Sequence, residues 1–134
     1  MILVDTSAWV EFDRATGSAV DARLSALIAD DADIAVTEPV IMEVTAGARS
    51  DAREQDLRRL LGRCSLLRFD AAIDFDAASR IYRTCRRSGV TPRGIVDCMI
   101  ASVAHRHNAI LLESDADLQR VAQVIGVPLD GNHS

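Results

Sequence analysis

Four short apolar runs, Ile2–Val4, Ile34–Val36, Leu66–Phe69 and Ala109–Leu112, punctuate this chain. Each is too short for a helix and apolar enough to be buried, and segments with helical spacing separate them. Such alternation predicts an α/β fold, a parallel sheet with helices on both faces. At 134 residues the chain is long enough for one core and is read as a single domain, 1–134, with a polar tail from about 129 to 134.

The helical segments carry their own start and stop signals. Asp5-Thr6-Ser7 are capping residues before a helix over Ala8–Arg14. Val20, Leu24, Leu27 and Ile28 share one face of a helix ending near Asp30, and Pro39 sits near the first position of a helix ending near Gly47. Asp51–Leu61 is a further helix. In Ala71–Arg87 the stripe Ile73, Ala77, Ile81 and Cys85 is read as the buried face, with Gly89 as the C-cap. Pro92 opens a helix over about Arg93–His107, and Ser114-Asp115-Ala116-Asp117 caps a last one that Gly126 closes. Trp9 and Phe12 are read as core or partner-facing, and Met42 and Met99 as core.

All 15 cations of the chain are arginine; there is no lysine. P-loop nucleotide sites, Schiff-base chemistry and protein-kinase chemistry each need a lysine and are excluded. The net charge of −5 argues against coating nucleic acid through average charge, while leaving room for a local basic strip. No apolar run approaches a membrane span. Met1–Val4 is stopped by Asp5 with no basic region before it, so no signal peptide is expected. Cys64, Cys85 and Cys98 are odd in number and widely spaced, which fits a reducing cytoplasm better than a disulfide framework.

The acids are more informative. Ligands of open parallel sheets gather beyond the carboxyl ends of the strands. Asp5 follows the first strand there and Asp115 the fourth; if these strands are neighbours, about 4.8 Å apart, the two carboxylates converge. Glu43 and Asp97 lie inside apolar stretches, where an unpaired carboxylate is costly. Only Arg49 and Arg93 are near them in sequence. Convergent carboxylates without cations call for a hard divalent metal, Mg²⁺ or Mn²⁺. Taken singly, Asp5, Asp115 and Asp117 also read as helix caps, Asp97 as a dipole partner of its helix, and Glu43 as solvent-facing.

Four motifs, in order, carry a resemblance. Ile2-Leu3-Val4-Asp5-Thr6-Ser7-Ala8-Trp9, Glu38-Pro39-Val40-Ile41-Met42-Glu43 with Gly47, Asp97-Cys98-Met99-Ile100-Ala101 and Ser114-Asp115-Ala116-Asp117-Leu118 together resemble PIN-domain proteins of the VapC toxin type over nearly the whole chain. The resemblance implies an α/β/α sandwich around a parallel sheet of four or five strands. It implies a Mg²⁺- or Mn²⁺-dependent endoribonuclease, commonly a homodimer, inhibited by a VapB-type antitoxin. Position by position it carries over Asp5, Glu43, Asp97 and Asp115 as the catalytic, metal-holding acids. Asp117 follows as a further member of the metal site, with Thr6 and Ser114 in support. Two positions depart from the family pattern: Glu113 stands where threonine is common and Leu118 where phenylalanine is common. Glu113 either adds negative charge near the metal or points to the other side of the sheet.

Asp5 and Asp97 are the expected direct ligands, with Glu43 and Asp115 on bound waters or a second ion. His105 and His107 end a helix and His133 lies in the polar tail, so none is placed for acid–base work. Arg83, Arg86, Arg87 and Arg93 are the expected RNA contacts, since guanidinium grips phosphate bidentately. Arg80 stands four residues after Asp76, the spacing of an ordinary helix ion pair. Dehalogenase-like phosphotransferases and receiver domains share an aspartate after the first strand but imply a lysine. A non-catalytic PIN-fold binding module would be expected to lose acids, and a structure-specific DNA nuclease to carry added DNA-binding segments.

Overall fold

In the computed structural model, which describes residues 1–131, the apolar runs form one parallel four-stranded sheet. The strands are β1 (Ile2–Val4), β2 (Ile34–Val36), β3 (Ser65–Leu66) and β4 (Ile110–Leu112), in the order β3-β2-β1-β4. Ile2 pairs with both Ile34 and Ile110, which makes β1 the interior strand next to β4. Leu129 adds a one-residue parallel bridge to Leu111. All of β2 and the last two residues of β1 are buried, as strands covered on both faces must be. Leu129 and the buried Asp130, which forms an ion pair with Arg23 at 2.9 Å, tie the start of the expected polar tail to the fold. Its end, 132–134 with His133, lies outside the described residues.

Among the described residues seven helices cover the sheet: α1 (Thr6–Asp13), α2 (Ala19–Ala29), α3 (Glu38–Ala46), α4 (Asp51–Leu61), α5 (Ala71–Arg87), α6 (Ile95–Arg106) and α7 (Ala116–Ile125). They fall into two packed groups. In one, α1 lies on α2 and α3, and α3 on α4; in the other α5, α6 and α7 lie on one another, with α3 also touching α6. Trp9 is fully buried in the first group, with half-buried Phe12 edge-on to it at 6.0 Å between ring centres. Gly126 ends α7 in the left-handed conformation, at φ 80°, that favours glycine. Among the described residues the three cysteines are free, and no helix is long and apolar enough to cross a membrane.

Four expectations need correction. The third strand is not Leu66–Phe69 but Ser65–Leu66, because past the Leu67 N–H, which donates to the Val36 carbonyl at 2.8 Å, the backbone groups turn to side chains. Arg106 donates to the Arg68 carbonyl at 2.7 Å, and the Phe69 N–H donates to Glu38 Oε1 at 2.7 Å. The helix expected from Arg93 starts at Ile95, because the Arg93 N–H donates to Asp117 Oδ2 at 2.6 Å and Gly94 is the extended N-cap. Met42 is 55% exposed, since Val40 and Val44 take the inward face of α3. The buried face of α5 is also rotated: Ile73 is 49% exposed, and Asp74, Ala78 and Cys85 are the buried positions.

Asp74 explains that rotation. Its carboxylate is fully buried and accepts from Ser102 Oγ at 2.7 Å, from Arg106 Nε at 3.2 Å and Nη2 at 2.6 Å, and from the Asp70 N–H at 2.7 Å. Burial pushes its pKa up, but the Arg106 hydrogen bonds and the other donors outweigh this and hold it below the usual value. Arg106→Ala strands this charge and should cost about 3 kcal/mol in urea unfolding at pH 7. Asp74→Ala should cost less, because the partly exposed Arg106 can be hydrated. A depressed folded value means the pair stabilises above the ordinary carboxylate range. The gap between wild type and Arg106→Ala should therefore narrow as pH falls through it.

Candidate active site

The strand order fixes where side chains can meet. From β1 the chain moves to β2 and β3 on one side, while β4 lies on the other, which opens a crevice at the carboxyl ends of β1 and β4. Asp5 is the first residue past β1, and its N–H still donates to the Leu112 carbonyl of β4 at 2.9 Å. It caps α1, Oδ2 accepting from the Ser7 N–H at 3.0 Å and the Ser7 hydroxyl at 2.6 Å. Its Oδ1 is buried with no hydrogen-bond partner. Asp115 caps α7 past β4, Oδ1 accepting from the Asp117 N–H at 2.8 Å. The expected juxtaposition of β1 and β4 is therefore present.

Two other elements bring in the remaining acids. Glu43, in the middle of α3, accepts from the Thr6 hydroxyl at 2.7 Å. Asp97 lies in the first turn of α6. Its pKa is pushed up to about 7, by burial first and then by the charges of Asp5, Asp115, Asp117 and Glu43. All five acids named from the sequence thus act on one locus. Asp5 is pushed up to about 6 by burial, with the Ser7 hydroxyl and the backbone N–H groups of Ser7 and Thr6 opposing and the Glu43 charge adding to the rise.

Cations are distributed unevenly around this locus. Among the described residues, Asp5, Glu43, Asp97 and Asp115 have no arginine or histidine within 4.0 Å, whereas Asp117 has Arg120 at 3.4 Å. Asp117 is buried, and its other oxygen holds the Arg93 N–H, so it braces the loop entering α6. Glu113 is buried in the turn and accepts the Asp115 N–H at 2.7 Å, which sets the angle at which Asp115 leaves β4. Ser114 donates its N–H to the Ser7 hydroxyl at 2.8 Å. Ser7 has no site role in the sequence reading, where the capping pattern Asp5-Thr6-Ser7 is the available signal; Glu113, for which that reading leaves two sides open, is turned to the Asp115 N–H. Among the described residues, no three acidic, histidine or cysteine groups are drawn tightly enough together to ligate one ion as they stand. Like charges gathered without a counter-ion repel one another, so a loose cluster is what the electrostatics require. The donor set still fits a hard cation: carboxylate oxygens only, no competing guanidinium on four of the five acids, and one buried oxygen with nothing to accept from.

The arginines named as RNA contacts lie at the same end. α5 and α6 pack together, joined by the short segment 88–94, so the last turn of α5 neighbours the first turn of α6. Arg83, Arg86 and Arg87 line one open cavity of about 370 Å³. Arg87 donates to Thr84 Oγ1 at 3.3 Å, Arg93 is exposed, and Arg80 pairs with Asp76 at 2.6 Å as expected from their spacing.

Comparison with known proteins shows the family and the fold. The family described as PIN domain matches residues 2–124, and the chain belongs to it. It is 46% identical over 125 residues, 92% of its length, to VapC ribonuclease Mb1587 of Mycobacterium bovis and to Ribonuclease VapC11 of Mycobacterium tuberculosis, covering 93% of each. Among solved structures it resembles VapBC2 of Rickettsia felis bound to a promoter DNA fragment, with a TM-score of 0.74 at 21% identity over 97% of this chain and 98% of that one. It also resembles M. tuberculosis VapC20, a sarcin-ricin-loop-cleaving toxin, with a TM-score of 0.63 at 20% identity over 89% and 93%. At such identities these two likenesses concern the fold, an α/β fold around a four-stranded parallel sheet.

The raised carboxylates have a thermodynamic consequence. A folded value above the unfolded one stabilises at low pH and loses that contribution as pH rises through the folded value. In chelator the melting temperature should fall between pH 4 and pH 8, with Asp5 alone accounting for about 3 kcal/mol. Asp5→Asn should flatten the profile, and Mn²⁺ at pH 8 should restore much of the loss in wild type. A pH-independent melting temperature in chelator would contradict the clustering.

Proposed function

We propose that this chain is a Mg²⁺- or Mn²⁺-dependent endoribonuclease of the VapC type, a cytoplasmic toxin that acts on RNA and is held in check by a VapB-type antitoxin. The observation that carries this reading is the group of four carboxylates at the β1–β4 edge, without a cationic partner among the described residues and with Asp5 Oδ1 buried and unpaired. The ribonuclease names of relatives 46% identical over most of the chain support the reaction class. The VapBC complexes of like fold are the analogy for the antitoxin, and the homodimer is carried by the family resemblance alone.

In this reading Asp5 and Asp97 hold the ion directly, and Glu43 and Asp115 complete the set. When bound, the ion supplies an activated water and neutralises charge developing on the scissile phosphate. Thr6 keeps Glu43 turned to the site through its 2.7 Å hydrogen bond. Glu113 and Ser114 hold the turn that carries Asp115. Asp97, its pKa pushed up to about 7 by burial and the neighbouring acids, would be among the residues that hold the ion, and a bound cation would favour its ionised form. Asp117 acts through Arg93: by holding that residue's N–H it fixes where the Arg93 guanidinium leaves the chain, beside the first turn of α6. Arg93, Arg83, Arg86 and Arg87 then grip the RNA backbone, arginine being the only kind of cationic side chain this lysine-free chain has besides histidine.

The decisive measurement is cleavage of cellular RNA by purified, antitoxin-free protein in Mg²⁺, in Mn²⁺ and in chelator, with the new ends mapped. Cleavage should require metal, and Asp5→Asn should lower it by about 10²–10³-fold while keeping the fold. Arg93→Ala should raise KM by about tenfold, the weight of one charged hydrogen bond, with a smaller change in kcat. Cleavage that survives chelation would overturn the proposal.

A further inference from the structure

Ser7 lies outside the acidic set yet holds two of its segments. Its hydroxyl donates to Asp5 Oδ2 at 2.6 Å and accepts the Ser114 N–H at 2.8 Å. The roles are unambiguous, since a backbone N–H only donates and an ionised carboxylate only accepts. With the Ser7 N–H also on Oδ2 at 3.0 Å, one oxygen of Asp5 takes two donors and the other takes none. The second bond reaches across 107 residues of sequence to the residue before Asp115. An N-cap alone would need only the backbone N–H of Ser7, which any residue there supplies. The hydroxyl adds what the cap does not require: a side-chain tie between the start of α1 and the turn that carries Asp115.

We propose that Ser7 is a positioning residue that locks the Asp5 carboxylate with Oδ1 free and sets its spacing from Asp115. The proposal rests on reading the site as a divalent-cation centre. Groups that hold a ligating carboxylate are ordinarily worth about 10–100-fold in metal affinity.

The test is Mn²⁺ binding, followed by the electron paramagnetic resonance signal of the free ion, for wild type, Ser7→Ala and Ser7→Thr at one pH, with melting temperatures in chelator. Ser7→Ala should weaken binding by about 10–100-fold with little change in melting temperature, and Ser7→Thr, which keeps the hydroxyl, should recover most of it. Unchanged affinity in Ser7→Ala, or no recovery in Ser7→Thr, overturns the proposal. Should Ser7→Ala fail to fold, the near-isosteric pair Ser7→Thr and Ser7→Val decides it, equal affinities counting against the hydroxyl. Failure of the wild type to bind Mn²⁺ would overturn the metal reading instead. The tie is then read from exchange of the Ser114 amide in the cation-free protein. Ser7→Ala should speed that exchange by about tenfold, the weight of one hydrogen bond; no change would overturn it.

Discussion

A carboxylate buried at the end of the central strand is the constraint around which the site is arranged. β1 pairs with β2 and β4, so Leu3 and Val4 lie in the middle of the core and Asp5 emerges already out of water. Burying an ionised group is expensive unless hydrogen bonds or an opposite charge offset it. One oxygen of Asp5 receives donors from the first turn of α1; the other receives none. From that first turn Thr6 reaches Glu43 and Ser7 reaches the β4–α7 turn, so one strand end organises three segments.

The molecule treats its acids in two ways, and the contrast is internal. Asp13, Asp74, Asp117 and Asp130 each have an arginine within ion-pair distance. Asp74, the most buried of these, is held below its ordinary pKa, its guanidinium partner outweighing the burial penalty. Asp5, which is comparably buried, and Asp97, which is half-buried, lack a guanidinium among the described residues, and both are raised. Arginine, the only side-chain cation here besides histidine, pairs with these framework acids, while among the described residues none pairs with Asp5, Glu43, Asp97 or Asp115. The penalty left there is one that a divalent ion can offset.

What was legible in the sequence follows from what local pattern encodes. The strand runs, the capping residues and the glycine ending α7 act within a few residues, and they placed most elements closely. β3 was misjudged because its end depends on Glu38 and Arg106, far away in sequence, claiming backbone groups of Arg68 and Phe69. The face of α5 was misjudged for the same reason: apolar spacing favours Ile73, but Arg106 and Ser102 on α6 draw Asp74 inward. Met42 looks like core by composition and is exposed because Pro39, Val40 and Val44 take the inward side of α3. The residues of the acidic set were legible as ordered motifs. The hydroxyl tie of Ser7 was not, because its second partner is a backbone N–H that no residue type announces.

The two readings that the sequence left open for Asp5 and Asp115, cap or ligand, turn out not to compete. A cap engages one carboxylate oxygen with N–H groups of the turn that follows. Asp5 uses Oδ2 in this way and Asp115 uses Oδ1. A carboxylate has two oxygens, and capping fixes its rotamer while leaving the second free. In a parallel sheet each strand end is also a helix start, so an aspartate there both closes the helix and faces the crevice. The positive end of the helix dipole lies at the same point and lowers the cost of holding several negative groups close together. An acidic centre at a strand edge can therefore be built from residues that the fold already requires as caps. Glu43 lies within a helix and caps nothing, and Asp97, though its place in the first turn of α6 suits the helix dipole, is not the cap, so these two acids are the part of the pattern that capping cannot explain.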